Sequence, residues 1–107
     1  MRLVDEDTIL KAVELLQAAA PGSTVVVFGS SGRGEATKDS DLDLLVIEPE
    51  VKSRHGEMVR LQRVLRPLEI PVDVLVYDRK TFDYWADTPG TVLYEAVQEG
   101  RVFHAQP

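Results

Sequence analysis

The N-terminal segment alternates apolar and polar residues with the period of an α-helix. Its apolar positions are Ile9, Leu10, Val13, Leu16 and Ala20. This spacing predicts an amphipathic helix over residues 7–20, which the next two residues, a Pro-Gly pair, should end. Residues 53–65 predict a second helix, and residues 81–85 and 91–99 predict two shorter ones. Gly100 is a typical stop signal for the last of these.

Runs of β-branched and aliphatic residues at 24–28, 42–47 and 72–77 have the length of buried strands, and residues 101–104 predict a short fourth. The order α-β-loop-β-α-β-α predicts an α/β fold, with a single small mixed sheet flanked by helices. The first two strands are joined by roughly a dozen residues, so we expect them to pair antiparallel. A helix-containing connection joins the second and third strands, which favours a right-handed parallel crossover.

Composition narrows the class of protein. The 107 residues fit one domain, predicted over 1–107. Eighteen acidic and twelve basic residues give a net charge of -6, which argues against binding of long nucleic acids. No apolar stretch approaches the roughly 20 residues that cross a bilayer, and the acidic N-terminus does not resemble a secretion signal. We therefore expect a cytoplasmic protein with no membrane contact.

Small and acidic residues stand at the ends of three predicted strands. Gly29 and Ser30 come after the first strand, Asp41 and Asp43 open the second, and Asp73 opens the third. In the predicted topology these positions meet at one edge of the sheet. Because side chains two apart on a strand share a face, Asp41 and Asp43 should point the same way. Three converging carboxylates suit Mg²⁺ or Mn²⁺, and a Gly-Ser turn suits phosphate oxygens.

Each feature also has a simpler interpretation. A Gly-Ser turn is commonly structural, and Asp41 and Asp43 could be solvated residues at a strand end. Asp73 is harder to explain in this way, because it interrupts a Val-rich strand where charge is disfavoured. The combination of all three is far more specific than any one of them.

The spacing of these residues resembles a known family. Gly29-Ser30 is followed by ten residues, 31–40, and then by Asp41-Leu42-Asp43. This pattern is similar to the nucleotidyltransferase superfamily that includes DNA polymerase beta, and within it to the minimal nucleotidyltransferases of the MNT antitoxin type. Asp73 matches the third carboxylate of the family. The pair at 31–32 is Ser-Gly, where similar proteins often carry Arg-Ala.

The resemblance implies transfer of a nucleoside monophosphate from a nucleoside triphosphate to a hydroxyl group. The expected case is transfer of AMP from ATP. Asp41, Asp43 and Asp73 would be the catalytic residues and the ligands of two Mg²⁺ or Mn²⁺ ions, with Asp73 also helping to deprotonate the acceptor. Gly29, Ser30 and Arg33 would bind the nucleotide. Each of these roles is an expectation carried over from the family.

The resemblance also implies a partner. Similar domains are found with helical HEPN-family proteins, which are toxins. They adenylylate these partners and so act as antitoxins. Homo- or hetero-oligomers are therefore expected. Four aromatic residues could form such an interface or pack in the core: Phe82, Tyr84, Trp85 and Tyr94. One alternative is a non-catalytic module that neutralises its partner by occlusion. Transfer to a small molecule such as an aminoglycoside is less well supported, because 107 residues leave no room for an acceptor domain.

Overall fold

The computed structural model describes residues 6–29 and 42–105. In chain order its elements are α1 (Glu6–Ala19), β1 (Thr24–Phe28), β2 (Leu42–Glu48), α2 (Arg54–Val64), a 3₁₀ helix (Arg66–Leu68), β3 (Val72–Asp78), α3 (Arg79–Trp85), α4 (Val92–Glu99) and β4 (Arg101–Phe103). Every helix and strand predicted from the sequence is present, with ends shifted by one or two residues.

The four strands form one mixed sheet in the order β3-β2-β1-β4. β1 runs antiparallel to both β2 and β4, and β2 runs parallel to β3. Both predicted pairings are therefore confirmed. The topology brings the end of β1 and the starts of β2 and β3 to the same end of the sheet, as predicted from the connections between the strands.

Alternation along the strands divides the core into two layers. On β2, Leu44 and Val46 face α1 and α2, and pack in the larger buried cluster. Leu45 and Ile47 face the other way and pack with Leu93 of α4 in the smaller cluster. Since both faces of β2 are covered, its sequence is a nearly continuous apolar run.

Side chains that accept hydrogen bonds fix where the short helices begin. Asp78 accepts from the backbone N–H of Thr81 at 2.7 Å, so α3 begins at Arg79, two residues before its predicted start. Hydrogen bonds from Thr81 also lower the pKa of Asp78. Thr91 caps α4 in the same way, by accepting from the N–H of Tyr94 at 3.2 Å.

Gly100 ends α4 for a different reason from the one its sequence position suggests. Gly100 has a φ of -95°, which any residue can adopt. However, a Cβ atom here would lie 2.6 Å from the carbonyl oxygen of Val27 and would overlap that of Ala96. Glycine is required because α4 turns into β4 directly against β1.

In the part of the chain that the structure describes, no helix has the length and apolar character needed to cross a membrane.

Candidate active site

Asp43 of β2 and Asp73 of β3 are direct partners in the parallel register. Residues in register on neighbouring parallel strands point to the same face, and the strands lie about 4.8 Å apart. The two carboxylates therefore stand side by side. Asp43 is half-buried and Asp73 is exposed, so the pair spans the boundary between the protein interior and solvent.

The same face becomes apolar beyond the carboxylates. Leu45 and Ile47 on β2, and Leu75 and Tyr77 on β3, all belong to the core cluster beneath α3 and α4. Among residues 6–29 and 42–105, α3 and α4 close the other end of this face, and the carboxylates lie at the end away from these helices. On both strands, an acidic side chain is thus followed on the same face by apolar ones.

Gly29, directly after β1, lies against the carboxylate of Asp43. Phe28, the last residue of β1, is the register partner of Asp43, and Gly29 comes next with a φ of +69°. A Cβ atom on Gly29 would overlap Oδ2 of Asp43 and would lie 3.2 Å from its Cγ. Both the left-handed backbone and the close approach to the carboxylate require glycine at this position.

Three predicted site residues, Ser30, Arg33 and Asp41, lie outside the described residues. Their roles in phosphate and metal binding stay predictions. The structure brings together the other three: Gly29, Asp43 and Asp73.

The described part of the site fits a hard divalent cation. Its side-chain donors are carboxylate oxygens, which Mg²⁺ and Mn²⁺ prefer. Two unit charges about 5 Å apart repel by about 3 kcal/mol at an effective dielectric near 20, and a cation between Asp43 and Asp73 would relieve that cost. Within 6–29 and 42–105, no group of three or more His, Cys, Asp or Glu side chains is placed to hold a metal; Asp41, the third expected ligand, falls between these ranges.

Hydrogen bonds on both sides of β3 hold the backbone that leads into Asp73. The N–H of Leu42 donates to the carbonyl of Pro71 at 2.9 Å. On the opposite side, Nε2 of Gln62 donates to the carbonyl of Val72 at 2.7 Å. Sequence reasoning missed Gln62, because nothing in its local pattern shows that α2 lies along β3.

A groove opens beside this backbone, between α2 and the start of β3. Its volume is about 750 Å³, and Asp73 lies in its wall. Met58, Val59 and Ile70 contribute apolar surface, while arginines 63 and 66 contribute charge. The groove therefore reaches Asp73 from the side of α2.

The four candidate interface aromatics separate into two groups. Phe82 packs against the smaller core cluster, and Tyr94 is half-buried. Tyr84 is 73% exposed and Trp85 is 43% exposed, and their rings meet edge to face with centroids 4.8 Å apart. Tyr84 and Trp85 therefore form an exposed aromatic surface on α3, whereas Phe82 serves the core.

A second acidic cluster, which sequence reasoning also missed, lies at the far end of β2. Glu48 is only 9% exposed, and burial raises its pKa to about 7, helped by a hydrogen bond with Glu57. Arg60 donates two hydrogen bonds of 2.7 Å to Glu57 and, with Glu48, lowers the pKa of Glu57 to about 2. The pKa of Glu48 therefore lies well above its ordinary value, and that of its neighbour Glu57 well below.

Solved structures share this fold. A chain of a toxin-antitoxin structure with AMP-PNP is 23% identical with a TM-score of 0.65, over 96% of this chain and 76% of that one. A chain of a mutant of the toxin-antitoxin MntA-HpeT is 24% identical with a TM-score of 0.62, over 96% and 74%. A chain of the complex of tri-AMPylated Shewanella oneidensis HEPN toxin with MNT antitoxin is 20% identical with a TM-score of 0.62, over 94% and 72%.

No curated protein matches the chain. A family model described as "Nucleotidyltransferase domain" matches residues 7–104. The match spans nearly the whole chain and includes the Gly-Ser turn and all three predicted carboxylates. The resemblance seen in the sequence is thereby confirmed: this protein belongs to the nucleotidyltransferase domain family and has the fold of the MNT antitoxins.

Proposed function

We propose that this protein is a metal-dependent nucleotidyltransferase that moves AMP from ATP to a hydroxyl group of a partner protein. The observation that carries the proposal is the register pairing of Asp43 with Asp73 on one face, with Gly29 directly against the carboxylate of Asp43. Membership of the family supports nucleotidyl transfer, and the adenine nucleotide and the protein acceptor are the further steps that we propose.

Asp43 is suited to holding a cation in a fixed position. It is half-buried, and the Gly29 turn packs against its carboxylate. Asp41, two residues earlier, is proposed to join it as a ligand. Mg²⁺ or Mn²⁺ bound by these carboxylates would supply charge neutralisation for the triphosphate and the leaving pyrophosphate.

Asp73 is suited to handling the acceptor. Its exposure lets a hydroxyl group on another molecule reach the carboxylate, which takes up the proton of that hydroxyl. The hydroxyl oxygen forms a bond to the α-phosphorus, the bond from that phosphorus to the bridging oxygen breaks, and pyrophosphate leaves. Gly29, Ser30 and Arg33 are proposed to bind the phosphates that leave.

We propose that the acceptor is a helical protein of the HEPN family that acts as a toxin. The structures that share this fold include one of a tri-AMPylated HEPN toxin in complex with an MNT antitoxin and one of a toxin-antitoxin with AMP-PNP. The pair would meet in the cytoplasm, where ATP is available. Tyr84 and Trp85 offer exposed aromatic surface for the contact.

The decisive experiment is a labelling assay with two forms of ATP. In the presence of Mg²⁺ and the candidate HEPN partner, α-labelled ATP should label the partner and γ-labelled ATP should not, because adenylylation retains only the α-phosphate. Asp41→Asn, Asp43→Asn and Asp73→Asn should each reduce labelling by about 100-fold or more. Asp7→Asn, at an exposed aspartate on α1, is the control and should label normally. Full labelling by all three site variants would refute the catalytic assignment.

A second candidate function is neutralisation by occlusion, which the exposed aromatic pair on α3 favours. A binding module needs such a surface and needs no metal ligands. The Asp43→Asn/Asp73→Asn double variant separates the two functions. If it still suppresses the toxicity of the partner fully, occlusion is the function, and if suppression is lost while the complex still forms, modification is.

A further inference from the structure

β3 is the edge strand on one side of the sheet, and side chains of α2 bind its outward-facing carbonyl groups. Nε2 of Gln62 donates to the carbonyl of Val72 at 2.7 Å. About two turns earlier on the same helix, Nε of Arg54 donates to the carbonyl of Val76, also at 2.7 Å. An open strand edge leaves such carbonyls available to water or to another chain, and here α2 covers two of them.

The two contacts differ in their distance from the acidic pair along the strand. The Val72 carbonyl belongs to the peptide group that leads directly into Asp73. The preceding carbonyl, that of Pro71, accepts from the N–H of Leu42 on β2 at 2.9 Å. The backbone entering Asp73 is thus bound from both sides. The Val76 carbonyl lies farther along β3, away from the acidic pair.

Backbone restraint matters more for Asp73 than for Asp43. Asp43 is half-buried and the Gly29 turn packs against it, whereas Asp73 is exposed. An exposed side chain has little packing to hold it, so the position of its carboxylate depends on the peptide that carries it. Groups that orient a metal ligand are worth roughly 10- to 100-fold in metal affinity or activity.

We infer that Gln62 is a positioning residue for Asp73: it fixes the edge of β3 so that the Asp73 carboxylate faces the same cation as Asp43. This inference rests on the proposed function. It extends the site to a residue of α2 that acts through the backbone of β3.

The test compares Gln62→Met with Arg54→Met. Methionine keeps the length of the Gln62 side chain and removes its donor. Arg54→Met removes the other side-chain contact to a β3 carbonyl, together with the stacking of Arg54 on Tyr77, both farther from the site. Mn²⁺ affinity in the presence of AMP-PNP is measured by electron paramagnetic resonance of the free ion, together with kcat, KM for ATP and the urea midpoint. Gln62→Met should weaken Mn²⁺ binding and lower kcat by about tenfold, with KM for ATP little changed. Arg54→Met should leave Mn²⁺ binding and kcat within about twofold of the parent, because it affects only the fold.

Gln62 is exposed, so its replacement leaves the core intact, and Gln62→Ala provides a second variant without the donor. The inference is overturned if both Gln62 variants bind Mn²⁺ as tightly as the parent, or if Arg54→Met loses as much affinity as they do. Asp73→Asn in the same assays tests the proposed function separately. Full activity in Asp73→Asn would refute the catalytic role that the proposed function gives to Asp73, while an inactive Asp73→Asn beside a fully active Gln62→Met would refute only the positioning role.

Discussion

Gly29 lies directly against the carboxylate of Asp43, so closely that any side chain at position 29 would occupy the space of Oδ2. We expect Gly29→Ala to displace Asp43 and to weaken Mn²⁺ binding by about tenfold or more. The substitution should also lower the free energy of unfolding by about 1–2 kcal/mol, because Gly29 has a φ of +69°, which is costly for residues with a Cβ atom. Titration calorimetry and urea unfolding measure the two effects.

Gly90 provides the matched control. Its φ is +92°, and a Cβ atom there would meet nothing within 4 Å. Gly90→Ala should therefore show a similar loss of stability and unchanged Mn²⁺ binding. Equal metal affinity in the two alanine variants would show that the contact between Gly29 and Asp43 does not matter to the site.

Glu48 should make the stability of the domain depend on pH near neutrality. Burial raises its pKa to about 7 from the ordinary glutamate value of 4.5. Between these values the folded state keeps a proton that the unfolded state has lost, so the free energy of unfolding falls as pH rises from 4.5 to about 7. We expect a decline on the order of 1–3 kcal/mol across this window, measured by urea unfolding at a series of pH values.

Glu48→Gln should abolish most of that decline, because the neutral amide replaces the protonated carboxyl and can still donate to Glu57. Glu57 acts in the opposite sense. Its pKa is lowered from 4.5 to about 2, so its contribution to stability is present above 4.5 and is lost as pH falls towards 2. Glu50→Gln, at an exposed glutamate two residues away, should leave the pH profile unchanged. A Glu48→Gln profile as steep as that of the parent would contradict the assignment.

Tyr84 and Trp85 should contribute to partner binding and little to folding. The Tyr84→Ser/Trp85→Ser variant should unfold within a few degrees of the parent, since surface substitutions usually change stability by about 0.5 kcal/mol or less. Aromatic residues at an interface centre cost about 2 kcal/mol or more when truncated, so affinity for the HEPN partner should fall by at least tenfold. Biolayer interferometry measures this affinity. Val102→Ser, at a 38% exposed valine on β4, is the control, and parental affinity in the double variant would place the interface elsewhere.

Mg²⁺ and ATP together should stabilise the fold against heat. A ligand present at about 100 times its dissociation constant adds roughly 2.7 kcal/mol to the folded state, and chelation with EDTA should reverse the gain. Asp43→Asn and Asp73→Asn should each reduce this stabilisation strongly, and the control Asp7→Asn should retain it. Differential scanning fluorimetry measures the midpoints. A shift that persists unchanged in both site variants would mean that ATP binds away from the acidic pair.

Most of the fold could be predicted from periodicity and connection length. The run at 42–47 has the length of a strand, and the connections to its neighbours distinguish antiparallel from parallel pairing, which the structure confirms. The ends of helices are harder to predict from sequence. Asp78, for example, is recognisable as a helix cap only from its hydrogen bond with the N–H of Thr81. Gly100 was correctly placed at the end of a helix, but the contact with Val27 that requires it spans most of the chain.

The sequence by itself determined which residue types lie at the end of β1 and at the starts of β2 and β3. Strand alternation and the spacing from Gly-Ser to Asp-x-Asp are local properties of the chain. Only the tertiary structure decided that Asp43 and Asp73 are direct neighbours, that Gln62 binds the backbone before Asp73, and that Glu48 is buried beside Glu57. Each of these relationships depends on how a helix and two strands distant in sequence pack together. Such packing is a result of the whole core, and no local pattern encodes it.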